Sequence, residues 1–316
     1  MLDKLIGHTP LIKIKYEYKG IIDYVYVKLE YYNLTGSIKD RLAYYIINKA
    51  KKDGTLKENM PIIEATSGNT GISFASLGAY YNHPVHIFMP DSVSVERIKL
   101  IESYGGIIHL IKKEDGGFLE AIRQADELAV KLNGFRPNQF DNYDNVIAHY
   151  KTTGKEILES VNNIGIFVSG IGTGGTLIGV AKKLKEENKN VKIYAIEPKE
   201  LPLISKNIKI KDHKIEGIGD DFIPSIVDRQ LIDNVILISS EESIAMSKKI
   251  AKELGIGVGI SSGANLLATI LLKSKTDKNV VTVFVDDNKK YLSTDLTKEN
   301  NDSNLVTSKI KLLEIM

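Results

Sequence analysis

The sequence contains no cysteine in its 316 residues, which excludes disulfide bonds, thiolate metal sites, iron–sulfur clusters and a cysteine nucleophile. It also lacks an excess of charge, because 42 lysines and arginines balance 40 aspartates and glutamates. We therefore expect neither a nucleic-acid nor a membrane partner. No apolar run approaches a membrane span, and residues 1–11 carry charges and a proline where a signal peptide has an apolar core. These absences predict a cytoplasmic protein.

Most scattered titratable residues have a structural interpretation. The histidines lack the spacing of metal ligands, so no metal site is predicted; they are His8, His83, His86, His109, His149 and His213. Asp286 and Asp287 follow the last long predicted strand and could approach a site there. A strand-end turn is the favoured interpretation of this pair.

Short apolar runs alternate with longer helical patterns through most of the chain. The predicted strands cover residues 23–30, 61–64, 85–89, 107–111, 166–169, 191–196, 235–238 and 280–285. The predicted helices cover residues 41–53, 70–82, 94–104, 117–132, 145–162, 176–188, 241–254 and 263–274. This alternation is typical of an α/β fold with mostly parallel sheets flanked by helices.

Two stretches show little periodicity in their apolar residues. Residues 199–214 are charged, and we expect this segment to cover an opening, because loops of such length are usually functional or mobile. Residues 297–304 are polar and are predicted to link the body of the protein to a short C-terminal element, residues 306–316.

Residues 33–41 combine a turn, a helix start and a lysine. Gly36 permits a sharp turn, and Ser37 can cap the helix that follows. Lys39 then lies in the first helical turn, where the positive helix end disfavours an ammonium group. If it is also partly desolvated, the lysine loses its proton more easily and becomes a nucleophilic amine. Taken alone, a solvated surface lysine is the commoner alternative.

A glycine-rich loop between a predicted strand and a predicted helix can cradle a phosphate. Its backbone amides can converge, and its threonines add hydroxyl groups at the helix start. The residues concerned are Gly172, Thr173, Gly174, Gly175 and Thr176. The plainer alternative is a tight turn that binds nothing.

The same loop also matches a dinucleotide-binding pattern. Gly170, Gly172 and Gly175 have the G-x-G-x-x-G spacing, and Glu197 ends the next predicted strand. A single match of this kind is weak, and it leaves Lys39 unexplained.

Residues 66–71 form a second candidate anion site between a strand and a helix. Thr66, Ser67 and Asn69 supply hydroxyl and amide groups, and the helix start supplies free backbone N–H groups. This combination can bind a carboxylate, although a turn with a good helix cap is the plainer alternative.

Several motifs, in order along residues 4–295, resemble those of the cysteine synthase and cystathionine β-synthase family. They are IGHTPL at 6–11, GSIKDR at 36–41, TSGNTG at 66–71, NQFDN at 138–142, GTGGT at 172–176, HKIEGIG at 213–219, GISSGAN at 259–265 and KYLST at 290–294. The resemblance implies a fold-type II enzyme dependent on pyridoxal 5′-phosphate, tryptophan synthase β-like and homodimeric. It implies a smaller domain of residues 37–145 and a larger one of residues 1–36 plus 146–316.

The resemblance also implies roles for individual residues. Lys39 would bind the cofactor covalently, Asn69 would contact the ring hydroxyl and Ser261 the pyridine nitrogen. The phosphate would be held by Gly172, Thr173, Gly174, Gly175 and Thr176. The substrate carboxylate would be held by Thr66, Ser67, Asn69, Thr70 and Gln139, with Ser67 also among the catalytic residues. Gly217 would line the pocket opposite the ring.

These residue types are consistent with elimination at a β-carbon. A hydroxyl at the pyridine nitrogen does not stabilise a protonated ring, so the ring is a weaker electron sink and prompt β-elimination is favoured. Lys39, once displaced by the substrate amine, would be free to remove the α-proton.

The sequence departs from the family at Asp220, where cysteine synthases usually have a small residue and cystathionine β-synthases a tyrosine. A carboxylate there would repel anionic bisulfide and would help a neutral nucleophile that must lose a proton. We therefore hypothesise that Asp220 is a general acid/base. The alternative is that it points away and caps a turn beside Asp221. The haem segment and regulatory domain of animal cystathionine β-synthases are not expected.

The predicted reaction is β-replacement on a small amino acid. The leading hypothesis is release of hydrogen sulfide from L-cysteine, with water (giving L-serine) or a thiol as the incoming nucleophile. The alternatives are an O-acetylserine sulfhydrylase (cysteine synthase) and a cystathionine β-synthase-type condensation. From other classes, a catalytically idle binding partner and a dehydrogenase remain as less favoured hypotheses.

Overall fold

The computed structural model describes residues 2–299 and 304–316. Its strands are β1 (Leu11–Tyr18), β2 (Ile21–Leu29), β3 (Ile62–Ala65), β4 (Val85–Pro90), β5 (Ile107–Ile111), β6 (Ile164–Gly170), β7 (Lys192–Pro198), β8 (Asn234–Ile238), β9 (Asn279–Phe284) and β10 (Ile310–Ile315). Its α-helices are α1 (Lys39–Asp53), α2 (Asn69–Tyr81), α3 (Val95–Ser103), α4 (Gly117–Leu132), α5 (Asp144–His149), α6 (Lys155–Ser160), α7 (Gly175–Glu187), α8 (Leu203–Lys206), α9 (Ser240–Leu254) and α10 (Ile260–Lys273).

The strands form two sheets. The larger has the order β10-β1-β2-β9-β6-β7-β8, and the smaller has the order β3-β4-β5. All pairs are parallel except β1 with β2 and β1 with β10. The predicted α/β architecture with mostly parallel sheets is therefore confirmed. The smaller sheet lies within residues 37–145, while the division of the chain into two domains stays a prediction.

Helices cover both faces of each sheet, as the hydrophobicity of the strands predicts. In the larger sheet, α9 and α10 pack on one face and α6 and α7 on the other. In the smaller sheet, α1, α2 and α3 pack on one face and α4 on the other. Strands such as β3 and β6 are therefore buried along almost their whole length. None of the helices described is long and apolar enough to cross a membrane.

The structure corrects the sequence prediction in several segments. Strand β1 was not predicted, and the C-terminal element proves to be strand β10, which pairs with it. The single helix predicted at 145–162 is divided by a π-helical turn, Tyr150–Gly154. The charged segment 199–214 contains the short helix α8. Of the predicted linker 297–304, residues 300–303 lie outside the described residues.

Candidate active site

A cavity of about 470 Å³ lies at the carboxyl ends of the parallel strands, where α/β proteins usually bind their ligands. Eleven residues singled out from the sequence line it: Lys39, Thr66, Ser67, Asn69, Thr70, Gln139, Gly172, Thr173, Gly217, Asp220 and Ser261. Gly174, Gly175 and Thr176 do not line it, and they lie next to it at the start of α7. The sequence analysis missed four lining residues, namely Arg97, Phe140, Glu216 and Val285.

Lys39 is the first residue of α1, and the turn before it is tied to the cavity wall. The N–H of Ile38 donates to the carbonyl of Val285 at 2.9 Å. The buried carboxylate of Asp40 accepts hydrogen bonds from the N–H and hydroxyl of Thr35 and from the hydroxyl of Ser73, at 2.6–2.7 Å. These contacts fix the direction in which Lys39 leaves the helix.

The pKa of Lys39 is lowered, as the sequence predicted, but mainly because burial disfavours the ammonium form. The carboxylates of Asp286 and Asp220 act in the opposite direction and raise this pKa. The lysine therefore lies within the electrostatic reach of two acidic groups, of which the sequence analysis had placed only Asp220 in the site.

The glycine-rich loop has the geometry of an anion cradle. Gly174 caps α7 with a φ of +90°, which favours glycine. The backbone N–H groups of Gly172, Thr173 and Gly174 donate no hydrogen bond to any other residue that the structure describes. A Cβ atom on Gly172 would overlap the carbonyl oxygen of Gly217. Free N–H groups and a close backbone approach are what a bound phosphate requires.

The loop of residues 66–71 is held from below by Gln139. The side-chain N–H of Gln139 donates to the carbonyl of Ala65 at 2.9 Å, and its oxygen accepts from the hydroxyl of Thr70 at 2.7 Å. The N–H of Gly68 donates to the hydroxyl of Thr66 at 3.0 Å. Gln139 thus shapes the loop, and the role of the loop in holding a carboxylate stays a prediction.

Asp286 corrects the favoured interpretation of the acidic pair after β9. It is fully buried and accepts hydrogen bonds from the amide of Asn69 and the hydroxyl of Tyr291, both at 2.7 Å. Only Asp287 serves as a strand-end turn, where it caps the segment that follows. The signal was present, because residues that follow parallel strands meet at the same edge of a sheet.

Arg97 and Glu216 form an ion pair that the sequence did not reveal. The Arg97 side chain is buried, and its guanidinium carbon lies 4.7 Å from the centre of the Tyr291 ring. Gly68 has a φ of +153°, and a Cβ there would overlap the Arg97 side chain. The pair joins α3 to the segment that carries Gly217, across the cavity.

Asp220 lies on the cavity wall, and its side chain makes no hydrogen bond to another described residue. Burial raises its pKa to about 6, although the Lys39 ammonium group acts to lower it. Asp221 is exposed and accepts a hydrogen bond from Lys209 at 2.7 Å. The turn-capping alternative therefore describes Asp221 better than Asp220, and an acid/base role for Asp220 stays a prediction.

Asp220→Asn is expected to stabilise the apoprotein at neutral pH. The folded-state pKa of about 6 exceeds the ordinary value of 3.8, so the wild type loses stability as the pH rises between these values. Because asparagine does not ionise, the variant should gain up to about 3 kcal/mol in unfolding free energy above pH 7 and little near pH 4. Urea unfolding at both pH values measures this. A difference that does not change with pH would contradict the assignment.

The profile of the family described as "Pyridoxal-phosphate dependent enzyme" matches residues 2–286 of the chain. The chain belongs to this family. The cysteine synthase of Buchnera aphidicola from Schizaphis graminum is 42% identical over 92% of this chain and 93% of its own length. The predicted family resemblance and the predicted cofactor are thus confirmed.

Two solved structures are similar to this enzyme over its whole length. A hydrogen sulfide-producing enzyme from Fusobacterium nucleatum is 45% identical, covers 100% of this chain and 97% of its own, and superposes with a TM-score of 0.95. An aspartate-to-asparagine variant of a hydrogen sulfide-producing enzyme, in complex with an α-aminoacrylate intermediate, is 44% identical, with coverages of 100% and 98% and a TM-score of 0.96.

The residues of this enzyme fit pyridoxal phosphate. The side-chain oxygen of Asn69 is buried without a hydrogen-bond partner among the described residues, and its amide nitrogen is already bound to Asp286. A polar atom left in this way needs a ligand, and it lies in the same cavity as Lys39 and the free N–H groups at Gly172. Ser261, buried in the first turn of α10, completes the wall.

Gly172→Ala is expected to weaken binding of pyridoxal phosphate. The added methyl group would overlap the carbonyl oxygen of Gly217, and overpacking of about 1–3 kcal/mol corresponds to a loss of about fivefold to 150-fold in affinity. Titration of the apoprotein, followed by cofactor absorbance, measures the change. Gly20→Ala is the control, because a Cβ at Gly20 meets no atom within 4 Å. Equal affinities in the two variants would exclude the loop as the phosphate cradle.

Proposed function

We propose that this enzyme replaces the sulfur substituent of L-cysteine and releases hydrogen sulfide. Water as the incoming nucleophile gives L-serine, and a thiol gives a thioether amino acid. The observation that carries the proposal is the position of Asp220, a carboxyl group with a pKa of about 6 in the same cavity as Lys39. The similarity to one hydrogen sulfide-producing enzyme, solved both as such and as an aspartate-to-asparagine variant, supports it.

Different side chains act in the chemistry at the α-carbon and at the β-carbon. Bound pyridoxal phosphate supplies an electron sink for the charge that develops at the α-carbon. The Lys39 amine, whose lowered pKa favours the neutral form, takes the α-proton. The loop of residues 66–71, with Ser67 and Gln139, holds the substrate carboxylate in place.

Asp220 donates and accepts the protons for the reaction at the β-carbon. Its carboxyl group gives a proton to the departing sulfide as the Cβ–S bond breaks. The resulting carboxylate takes a proton from water or a thiol as the new bond to Cβ forms, which restores the starting state. A pKa near 6 suits both steps near neutral pH, because each protonation state is then accessible.

The second candidate is an O-acetylserine sulfhydrylase, which the similarity to cysteine synthases supports. In that reaction the nucleophile is anionic bisulfide, which the carboxylate of Asp220 would repel. A cystathionine β-synthase-type condensation is the third candidate. For each of them we propose a cytoplasmic homodimer, as expected from the resemblance to the family.

A product assay with L-cysteine as the sole substrate separates these candidates. We expect sulfide with stoichiometric serine if water is the nucleophile, and sulfide with lanthionine if a second cysteine is. Sulfide with pyruvate would mean elimination without replacement. No sulfide from cysteine, together with rapid cysteine formation from O-acetylserine and sulfide, would overturn the proposal in favour of cysteine synthesis.

A further inference from the structure

A second cavity adjoins the active-site cavity at Asp220. Its space of about 270 Å³ is partly open to solvent, and it shares two lining residues, Gly172 and Asp220, with the first. Asp220 therefore borders both spaces. A group placed in the second cavity can reach the same carboxyl group that faces Lys39.

The wall of the second cavity is apolar apart from two carboxyl groups. Glu197 and Asp220 are its charged residues, and neither lysine nor arginine lines it within the part of the chain that the structure describes. Most of the remaining wall is hydrocarbon, contributed by Leu201, Ile204, Phe222, Ile223 and Pro224. Such a wall favours methylene groups, and its only charge complementarity is towards a cation.

The carboxylate of Glu197 can accept hydrogen bonds beyond those it already makes. Its side chain is buried, with 4% of its surface exposed, and its two oxygens accept hydrogen bonds from the N–H groups of Ile204 and Ser205. An ionised carboxylate offers about four acceptor positions, so each oxygen can take a further donor. The dinucleotide pattern in the sequence had singled out this residue, and the β-replacement chemistry does not use it.

We propose that the second cavity is a subsite for an organic thiol nucleophile and that it selects thiols carrying an ammonium group. The inference rests on the proposed β-replacement. The thiol sulfur lies beside Asp220, its methylenes pack on the apolar wall and its ammonium group binds Glu197. The Cβ–S bond of L-cysteine breaks first, and Asp220 protonates the departing sulfide. The new bond between the thiol sulfur and Cβ then forms as the thiol proton passes to the Asp220 carboxylate. The products are a thioether amino acid and hydrogen sulfide.

Three thiols of similar size, supplied to the holoenzyme with L-cysteine, test the subsite. They are 2-(dimethylamino)ethanethiol (cationic), 2-mercaptoethanol (neutral) and mercaptoacetate (anionic). The tertiary amine of the first cannot condense with the cofactor aldehyde. Mass spectrometry of the thioether products gives kcat/KM for each thiol. The ratio of kcat/KM between wild type and Glu197→Gln is taken for each thiol, so that the intrinsic reactivity of that thiol cancels.

In Glu197→Gln, the preference for the cationic over the anionic thiol is expected to fall about tenfold or more, while 2-mercaptoethanol changes less than about twofold. Glu200→Gln is the matched control, because Glu200 is a buried carboxylate of the same segment that does not line the cavity. An unchanged preference in Glu197→Gln, or an equal fall in Glu200→Gln, would overturn the proposal.

A second variant covers the case in which Glu197→Gln does not fold. Ile223→Lys places a cation on the wall and is expected to shift the preference towards mercaptoacetate; no shift would refute the subsite. The series can also be run with O-acetylserine in place of L-cysteine. No thioether from L-cysteine, together with thioether formation from O-acetylserine, would then count against the proposed function, whereas an unchanged charge preference in Glu197→Gln with both donors would count against the subsite.

Discussion

Replacement of Asp220 by asparagine is expected to reduce hydrogen sulfide release from L-cysteine by about 10²–10⁴-fold, the usual contribution of a general acid/base. Asparagine keeps the shape of the side chain and cannot give a proton to sulfide or take one from water. The wild-type rate should depend on an ionisation near pH 6, the pKa to which burial raises Asp220. The variant should lose this dependence. Sulfide and serine formation across a pH series measures both effects.

Two controls accompany this experiment: a second amino-acid substrate, O-acetylserine, and a variant of the neighbouring residue Asp221. Acetate is a weakly basic leaving group that needs no proton, so elimination from O-acetylserine should change far less in Asp220→Asn than elimination from cysteine. Asp221→Asn removes an adjacent but exposed carboxylate that pairs with Lys209, and its rate should remain close to that of the wild type. An equal loss with both donors would assign Asp220 a structural role.

Replacement of Lys39 by alanine is expected to reduce turnover by about 10⁴-fold or more, because one residue would supply both the covalent attachment and the α-proton base. The visible absorbance of the covalently bound cofactor should disappear, while phosphate contacts at the glycine-rich loop retain weak binding. Rate assays and absorbance spectra of the reconstituted protein measure the two losses separately.

Two variants in the same helix distinguish chemistry from charge. Lys39→Arg keeps a cation but cannot provide a neutral amine, since arginine stays protonated in proteins, so it should be as inactive as alanine. Lys52→Ala, at the exposed end of α1, should leave turnover unchanged. Substantial activity in Lys39→Arg would show that the ammonium charge matters more than the amine.

The sequence predicted those parts of the site that depend on short stretches of chain. Lys39, the loop of residues 66–71 and the glycine-rich loop each follow a recognisable strand or turn, so local pattern was enough to find them. Arg97 and Glu216 come from different segments, and each acquires its meaning only from the other. No local pattern could indicate which of many surface charges would be buried together.

The same distinction applies to the fold. Strand β1 was missed although Lys13, Lys15 and Glu17 alternate there with apolar residues, which is itself a strand signal. The π-helical turn after α5 could not be predicted in this way. It lies where Gly154 packs closely on Val180 and Lys183 of α7, a contact between distant parts of the chain.

The ring of Tyr291 has a consequence for any redesign of substrate range. Its hydroxyl binds Asp286, which orients Asn69, and its face lies beside the guanidinium group of Arg97. Enlarging the pocket by shortening Arg97 would therefore also uncover the phenol ring that holds the acidic neighbour of Lys39 in place. A change of pocket volume at Arg97 is therefore coupled, through Tyr291 and Asp286, to the basicity of Lys39.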